Sequence, residues 1–403
     1  MLLSSRGRRI GGRVTIGVVS TLVLAATGYA WTQLSKLDDG IVTADVIPPA
    51  AQIDGSDTPP GEPLKVAQNI LLVGIDARTD AYGNPLPQNV LDALHAGSGD
   101  DGGDTTDTMI VVHIPAGGAA ATAISIPRDS YVDIAGGYGK HKINSAYSRG
   151  KNASMSDLRA QGLSGPQLEV AANAAGAKTA IQTVEQFTGL TINHYAAINL
   201  AGFDALSQAV GGVEVCLKAP VHDTYSGADF AAGPQTLSGA QALAFVRQRH
   251  GLLNGDLDRI ARQQAFLSGM AKKVLSAGTF TDVSKLNSLV SAVQGAVVLD
   301  KGWDVLSFAQ QLRGMTSGAI AFVTIPVQSL SMQTPSDGDA VKVDPGQVRQ
   351  FVHTAISTPA VQASGSDTPG GVKPVAATGT KTPSSGTSDT KQPATSTAAG
   401  CVN

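Results

Sequence analysis

Ile70-Leu71-Leu72-Val73-Gly74-Ile75 is an unbroken apolar run that stops on a carboxylate, Asp76. A short run of this kind predicts a buried strand, and a carboxylate at its C-terminal end sits where sites form in open α/β sheets. Similar runs recur at 109–114, 123–126, 195–198, 213–217 and 320–325. Helical patterns alternate with them at 168–188, 203–209, 239–245, 257–275, 283–293 and 303–312. Within 257–275, Ile260, Leu267, Ala271 and Val274 mark one apolar side, and Asp256 reads as the N-cap. The alternation predicts an α/β fold with helices on both faces of one mainly parallel or mixed sheet.

Working outward, the 403 residues allow one large domain or two of medium size. The net charge of −3 gives no electrostatic footprint for nucleic acid. Arg6, Arg8, Arg9 and Arg13 precede an apolar run over 14–34. That run is long enough to span a bilayer, and the arginines keep the N-terminus inside. The expected order is a basic cytoplasmic segment (1–13), a signal-anchor helix (14–34), a stalk (35–65), an extracytoplasmic domain (66–356) and a Ser/Thr/Pro/Gly-rich disordered tail (357–403). Gly28-Tyr29-Ala30 offers a small-residue cleavage site, so a cleaved signal peptide is the alternative to the anchor. Cys216 and Cys401 are the only cysteines. An even count in an exported chain permits one disulfide between them, and two free thiols are the alternative.

Only 15% of residues are charged, against roughly a quarter in an average domain, so charged clusters stand out. Arg247-Gln248-Arg249-His250 is followed by Asp256, Asp258, Arg259 and Gln263. Arginines two apart share a face of an extended segment, and paired guanidinium forks suit a phosphate or pyrophosphate. Arg259 and Gln263 share a face of a helix. Asp107 precedes a strand, Arg128 and Asp129 follow one, and Lys142 is expected in a Gly-rich loop. Asp76 and Asp107 give two carboxylates for a hard cation, and Arg128, Lys142, Arg247, Arg249 and Arg259 give five cations for phosphates. Mg²⁺ binds in this way, through one or two carboxylates plus substrate oxygens. A zinc site, a nucleophile elbow and a Walker loop find no matching spacing.

The ordered motifs NILLVGIDAR (69–78), DTMIVVHI (107–114), SIPRDSYVD (125–133), KINSAY (142–147), VGGVEV (210–215), LAFVRQRH (243–250) and GDLDRIARQQ (255–264) resemble the LytR-CpsA-Psr family of cell-wall glycopolymer ligases. The resemblance spans roughly 70–267 and continues more loosely to 356. It implies a three-layer α/β/α sandwich around a central mixed sheet, with a polyprenyl chain in an apolar channel. It implies Mg²⁺, with Mn²⁺ as substitute, held by Asp76 and Asp107. Arg128, Lys142, Arg247, Arg249, Arg259 and Gln263 look like the pyrophosphate-binding set, with Asp256 beside it. The implied partners are a polyprenyl-pyrophosphate-linked glycopolymer, peptidoglycan and the membrane, with no nucleic acid. The implied reaction transfers a glycosyl-phosphate to a peptidoglycan hydroxyl, with Asp107 or Asp256 as base. Hydrolysis of the same donor, or a non-catalytic envelope regulator, are the alternatives. The family often carries Arg two residues before the motif aspartate, where this chain has Thr105, and Arg78 is a candidate to compensate. The additional C-terminal domain of some relatives is not expected here.

Overall fold

A computed structural model describes residues 41–53, 64–99, 103–118, 120–252, 255–275, 291–292, 294–303, 320–357 and 401–403. Its described elements are, in chain order, β1 (Val42–Ala44), β2 (Gln68–Ile75), α1 (Gln88–Ala93), β3 (Thr106–Ile114), β4 (Ala121–Ser125), β5 (Tyr131–Ile134) and β6 (Gly139–Lys142). Then come α2 (Ser145–Ala160), α3 (Gly165–Thr188), β7 (His194–Ile198), α4 (Leu200–Ala209), β8 (Val213–Leu217), β9 (Val221–Asp223), β10 (Ala228–Phe230) and β11 (Gly233–Leu237). The remainder are α5 (Gly239–Arg247), α6 (Asp256–Leu275), β12 (Val297–Asp300), β13 (Ile320–Thr324), β14 (Ser329–Gln333), β15 (Asp339–Lys342) and α7 (Pro345–Ser357).

The central sheet has seven strands in the order β1-β12-β7-β2-β3-β4-β13. It is mixed: β2 runs parallel to β7 and antiparallel to β3, which is antiparallel to β4. The apolar run at 70–75 therefore lies at the centre, as its lack of polar members requires. Its alternate residues Leu71, Val73 and Ile75 face one core with Ala177, Ile181 and Val184 of α3 and Val348 and Val352 of α7. Leu72 faces the other side, where Ile110, Ala123 and Phe322 meet Leu267 of α6. Period two along the strand thus supplies both layers. A second core joins α4, α5 and α6 to β8 and β11. Gly176 lets α2 and α3 approach closely, since a Cβ there would lie 2.7 Å from the Tyr147 carbonyl oxygen.

Several expectations are corrected. The stalk does not extend through 35–65: Val42–Ala44 pairs in parallel with β12, Val46 and Ile47 are buried, and Asn193 Nδ2 donates to the Ala51 carbonyl. Three residues, Val42-Thr43-Ala44, were enough to join a sheet edge inside an Asp- and Pro-rich stretch. Residues 213–217 form a strand but not one of the central sheet, because β8 pairs with β11. Lys142 ends strand β6 rather than sitting in a loop. Asp256 is the first residue of α6, not its N-cap. The helices expected over 283–293 and 303–312 lie almost entirely outside the described residues, as does the segment 1–34. Among the described residues no helix is long and apolar enough to cross a membrane.

Two tethers fix peripheral pieces to this frame. Cys216 on β8 is bonded to Cys401, and Val402 forms a bridge with Leu217, so the last residues of the tail are part of the fold. The hairpin β14–β15 braces β5 and β6. The Val341 amide donates to the Asp129 carbonyl at 2.8 Å, and Asp337 Oδ2 accepts from the Lys142 amide at 3.0 Å and contacts His141 Nδ1 at 2.9 Å.

The disulfide closes a span of 185 residues, for which chain entropy alone gives about 5 kcal/mol. Cys216→Ser is expected to lower the unfolding free energy by about 3 to 5 kcal/mol, read from guanidinium melts with and without reductant. Burial pushes the Asp337 carboxyl up, but hydrogen bonds from the Lys142 amide and His141 outweigh it and hold the group below the ordinary carboxylate range. A depressed carboxylate stabilises the fold above its unfolded pKa, near 4, and ceases to do so as pH falls through its folded value. Asp337→Asn should therefore destabilise the protein at pH 6, with the difference shrinking as pH falls below the ordinary carboxylate value of about 4, as equal-pH melts of the two proteins would show.

Candidate active site

The site residues gather at one end of the central strands because β2 and β4 end there and antiparallel β3 begins there. Asp76 follows the last residue of β2, and Arg128 and Asp129 follow β4 by a short Ile126-Pro127 link. Asp107 arrives by a bulge. Gly74 pairs with Thr108 and Ile75 with Thr106, so Asp107 is skipped in the ladder. A residue extruded in this way is re-aimed by the local twist.

The cations interlock with carboxylates. Arg128 Nη1 is ion-paired with Asp107 Oδ1, and its Nε lies 3.5 Å from Asp129 Oδ1. Lys142 Nζ lies 3.6 Å from the same Asp129 oxygen, and Arg249 Nη2 lies 4.0 Å from Asp129 Oδ2. Asp129 is therefore the hub on which three predicted cations converge. The sequence signal for it was only its place beside Arg128. Arg259 pairs with Asp256 one turn earlier on α6. Burial pushes the Asp256 carboxyl up, Arg259 pulls it down, and Asp129, Arg249 and Arg128 are near enough to act on it. Burial also lowers the Arg259 pKa, opposed by Asp256.

Beside this cluster lies a cavity of about 320 Å³. Its walls are largely apolar, including Leu72, Ile110, Phe203, Leu206, Phe266 and Met270, and its polar lining includes Asp76, Asp107, Arg247, Arg259 and Gln263. Arg259 and Gln263 do share a face of α6, as their spacing requires. Arg247 and Arg249 do not share an extended segment. Arg247 closes α5 and donates through Nη1 to the carbonyls of Leu94 (3.1 Å) and His95 (3.2 Å), whereas Arg249 lies beyond the helix and reaches Asp129. Gln248 between them is buried.

Arg78 is not a spare phosphate contact. Its Nε and Nη2 donate to the Ala96 carbonyl, and its Nη1 meets the Asp76 carbonyl and Oδ1. It orients Asp76. Thr105, in the place where relatives often have arginine, donates to Asp107 Oδ1 at 3.1 Å. Sequence reasoning also passed over Arg262. It is fully buried on α6, lies over the Phe245 ring at 5.2 Å, and donates to Gln248 Oε1 and the Asn403 carbonyl. Burial pushes its pKa down to about 10, which leaves it charged at neutral pH. The tail held by Cys401 is thus connected to the Arg247–Arg249 segment through one side chain.

Among the described residues no group of three His, Cys, Asp or Glu side chains is placed to hold a metal. Asp76 and Asp107 line one cavity, and Asp76 Oδ1 is buried with no hydrogen bond of good geometry, its ion-pair neighbour being Arg78. Two hard oxygen donors of this kind fit a divalent cation completed by water and ligand phosphates.

Residues 51–352 match the LytR_cpsA_psr family. The chain is 42% identical over 345 residues to the cell wall biosynthesis protein LcpA of Corynebacterium glutamicum, covering 85% of this chain and 65% of that one. It is 34% identical over 224 residues to the polyisoprenyl-teichoic acid–peptidoglycan teichoic acid transferase TagU of Enterococcus faecalis, covering 55% of this chain and 64% of that one. The chain thus spans just under two thirds of the length of each of these relatives. The crystal structure of Bacillus subtilis TagV shares the fold, with a TM-score of 0.52, 24% identity and coverage of 73% of this chain and 98% of that one. The motifs quoted above, the mixed sheet and the match over most of the folded domain lead to one conclusion: the chain belongs to the LytR-CpsA-Psr family.

Proposed function

We propose that this protein transfers a glycosyl-phosphate from a polyprenyl-pyrophosphate-linked glycopolymer to a hydroxyl of peptidoglycan, releasing polyprenyl phosphate. The observation that carries the reading is the cavity of about 320 Å³ with apolar walls and a charged lining of Asp76, Asp107, Arg247 and Arg259. An isoprenoid suits the walls, and a pyrophosphate suits the cations beside them. The name of TagU, a teichoic acid transferase, and that of LcpA, a cell wall biosynthesis protein, support the same chemistry.

In the reaction the acceptor oxygen bonds to the phosphorus that carries the sugar, and the bond from that phosphorus to the polyprenyl phosphate oxygen breaks. The hydroxyl proton passes to a carboxylate. Asp107 lines the cavity and is partly exposed, whereas Asp256 is buried against Arg259. The partly exposed position supports Asp107 over Asp256 as that carboxylate, through the oxygen not paired with Arg128, and Asp256 then orients Arg259. Arg128, Arg247, Arg249, Arg259 and Lys142 bind the pyrophosphate and the charge that accumulates on the departing oxygen, with Gln263 donating beside them. Asp76 and Asp107 would hold Mg²⁺, which supplies further charge neutralisation on the phosphate oxygens when bound. No nucleotide is required, since the pyrophosphate bond carries the energy. The apolar run over 14–34 behind four arginines anchors the chain in the cell membrane with this domain outside.

The test combines the full-length protein in detergent with a synthetic polyprenyl-pyrophosphate oligosaccharide and uncrosslinked glycan strands, followed by mass spectrometry. Glycan carrying a new sugar-phosphate is expected. Polyprenyl phosphate without modified glycan would replace transfer by hydrolysis. Arg128→Ala and Arg247→Ala should each reduce turnover by about 10² to 10³ while far-UV circular dichroism stays native. Chelation should abolish turnover, and added Mg²⁺ should restore it.

A further inference from the structure

Next to the arginine cluster stands an aromatic side chain that the fold does not need. Tyr225 lies in the turn between β9 and β10 and is 76% exposed, the most open large hydrophobic residue among those described. A ring left in water adds little to stability. The turn that carries it is nonetheless held tightly. Buried Asp223 accepts from the Tyr225 amide at 3.0 Å and from the Ser226 hydroxyl at 2.8 Å.

The turn is also tied to the cluster from two sides, first through the Tyr225 ring. Its centroid lies 4.3 Å from that of His250, tilted by 30°. His250 follows Arg249 in the chain, and its Nδ1 lies 3.7 Å from Asp223 Oδ1. On the other side, His95 adopts φ of 49°, a left-handed conformation that non-glycine residues seldom hold. In that conformation its carbonyl accepts from Arg247 Nη1, and its ring lies where a Cβ on Gly227 would meet it at 2.7 Å. Arg247, His95, Gly227, Tyr225, His250 and Arg249 thus form a closed chain of contacts and covalent links. On the same hairpin His222 and Asp229 pair at 3.5 Å and are open to solvent.

An exposed ring face beside a carboxylate and imidazoles is a surface for a saccharide. The C–H face of a pyranose carries slight positive charge and stacks on the negative face of an aromatic ring. Its hydroxyls need planar acceptors and donors, and the same hairpin carries the exposed Asp229 and His222. A peptide or lipid partner would need a broader apolar patch, and among the described residues Tyr225 is the one exposed large hydrophobic of this hairpin.

We propose that Tyr225 and His250 form a sugar-binding platform at the rim of the site, which seats a pyranose beside the Arg247–Arg249 cluster. The inference rests on the transferase reading, because two sugars meet there: one on the donor and one on the acceptor strand.

The experiment uses full-length protein, Tyr225→Ala and Tyr225→Phe, with a peptide-free tetrasaccharide of alternating N-acetylglucosamine and N-acetylmuramic acid and, separately, the donor oligosaccharide without its lipid. Titration by NMR should show weakening by up to about tenfold on removal of the ring for one of these sugars, with binding kept in the Phe variant. In the transfer assay the KM for that same substrate rises while kcat is little changed, which identifies acceptor or donor. Equal binding by Tyr225→Ala and the parent, or no binding of either sugar by the parent, would overturn the platform. Sugar binding that depends on Tyr225 in a protein that transfers nothing would leave the platform standing and remove the transferase. Transfer with every KM unchanged in Tyr225→Ala would do the reverse.

Discussion

Five cations can be kept at one end of the sheet's central strands only if carboxylates stand among them. Two guanidinium charges about 6 Å apart repel by about 3 kcal/mol at an effective dielectric of about 20, and the penalty grows with every further pair. Asp129 answers most of it here, since Arg128, Lys142 and Arg249 all turn to its two oxygens. Asp107 answers Arg128 from the opposite side, and Asp256 answers Arg259. Arg247 is handled differently, by the carbonyls of Leu94 and His95 just past the end of α1, where the helix dipole is negative. Such partners fix each cation in place without neutralising the set. An incoming pyrophosphate would meet charges already positioned, so little reorganisation is left for the moment of binding.

The central strands were legible because burial on both faces leaves little room for polar residues. That is why 70–75, which has none, and 109–114, where His113 is the exception, read as strands from composition. β1 was not legible, because three residues on an edge need only one partner, β12, and carry no periodicity. β8 was legible as a strand but not as to its sheet, since apolar alternation says that a face is covered and not by what. The site divides along similar lines. Asp76, Arg259 and Gln263 could be placed from strand ends and helix spacing. Asp129 was noted only for its place beside Arg128 after a strand, and Arg262 only as a member of the motif at 255–264. Burial separates these cases, and a single sequence does not report the burial of a charge.

Arg78 and Thr105 show how a departure from a family's pattern can mislead. A missing cation suggests a substitute cation close in sequence. Arg78 is instead committed to the Ala96 carbonyl and to Asp76, and releasing it would leave buried partners unsatisfied at a cost of about 1 to 3 kcal/mol. Thr105 takes up Asp107 by a neutral hydrogen bond. Asp107 is ion-paired with Arg128, with Arg259 near enough to act on it as well, which couples the bulge in β3 to the residue that follows β4.

The tail reaches the site by a similar economy of contacts. Arg262 is a buried guanidinium hydrogen-bonded to the Gln248 side chain and the Asn403 carbonyl, with Asp258 and Asp223 near enough to act on its charge. A desolvated charge is stable only while such partners stay in place. The Cys216–Cys401 bond fixes Val402 against β8, and so holds the Asn403 carbonyl where Arg262 needs it. Arg262 in turn holds Gln248, which lies between Arg247 and Arg249. A covalent link on the far side of β8 therefore bears on the spacing of two phosphate-binding arginines, through one buried charge that cannot change its partners cheaply.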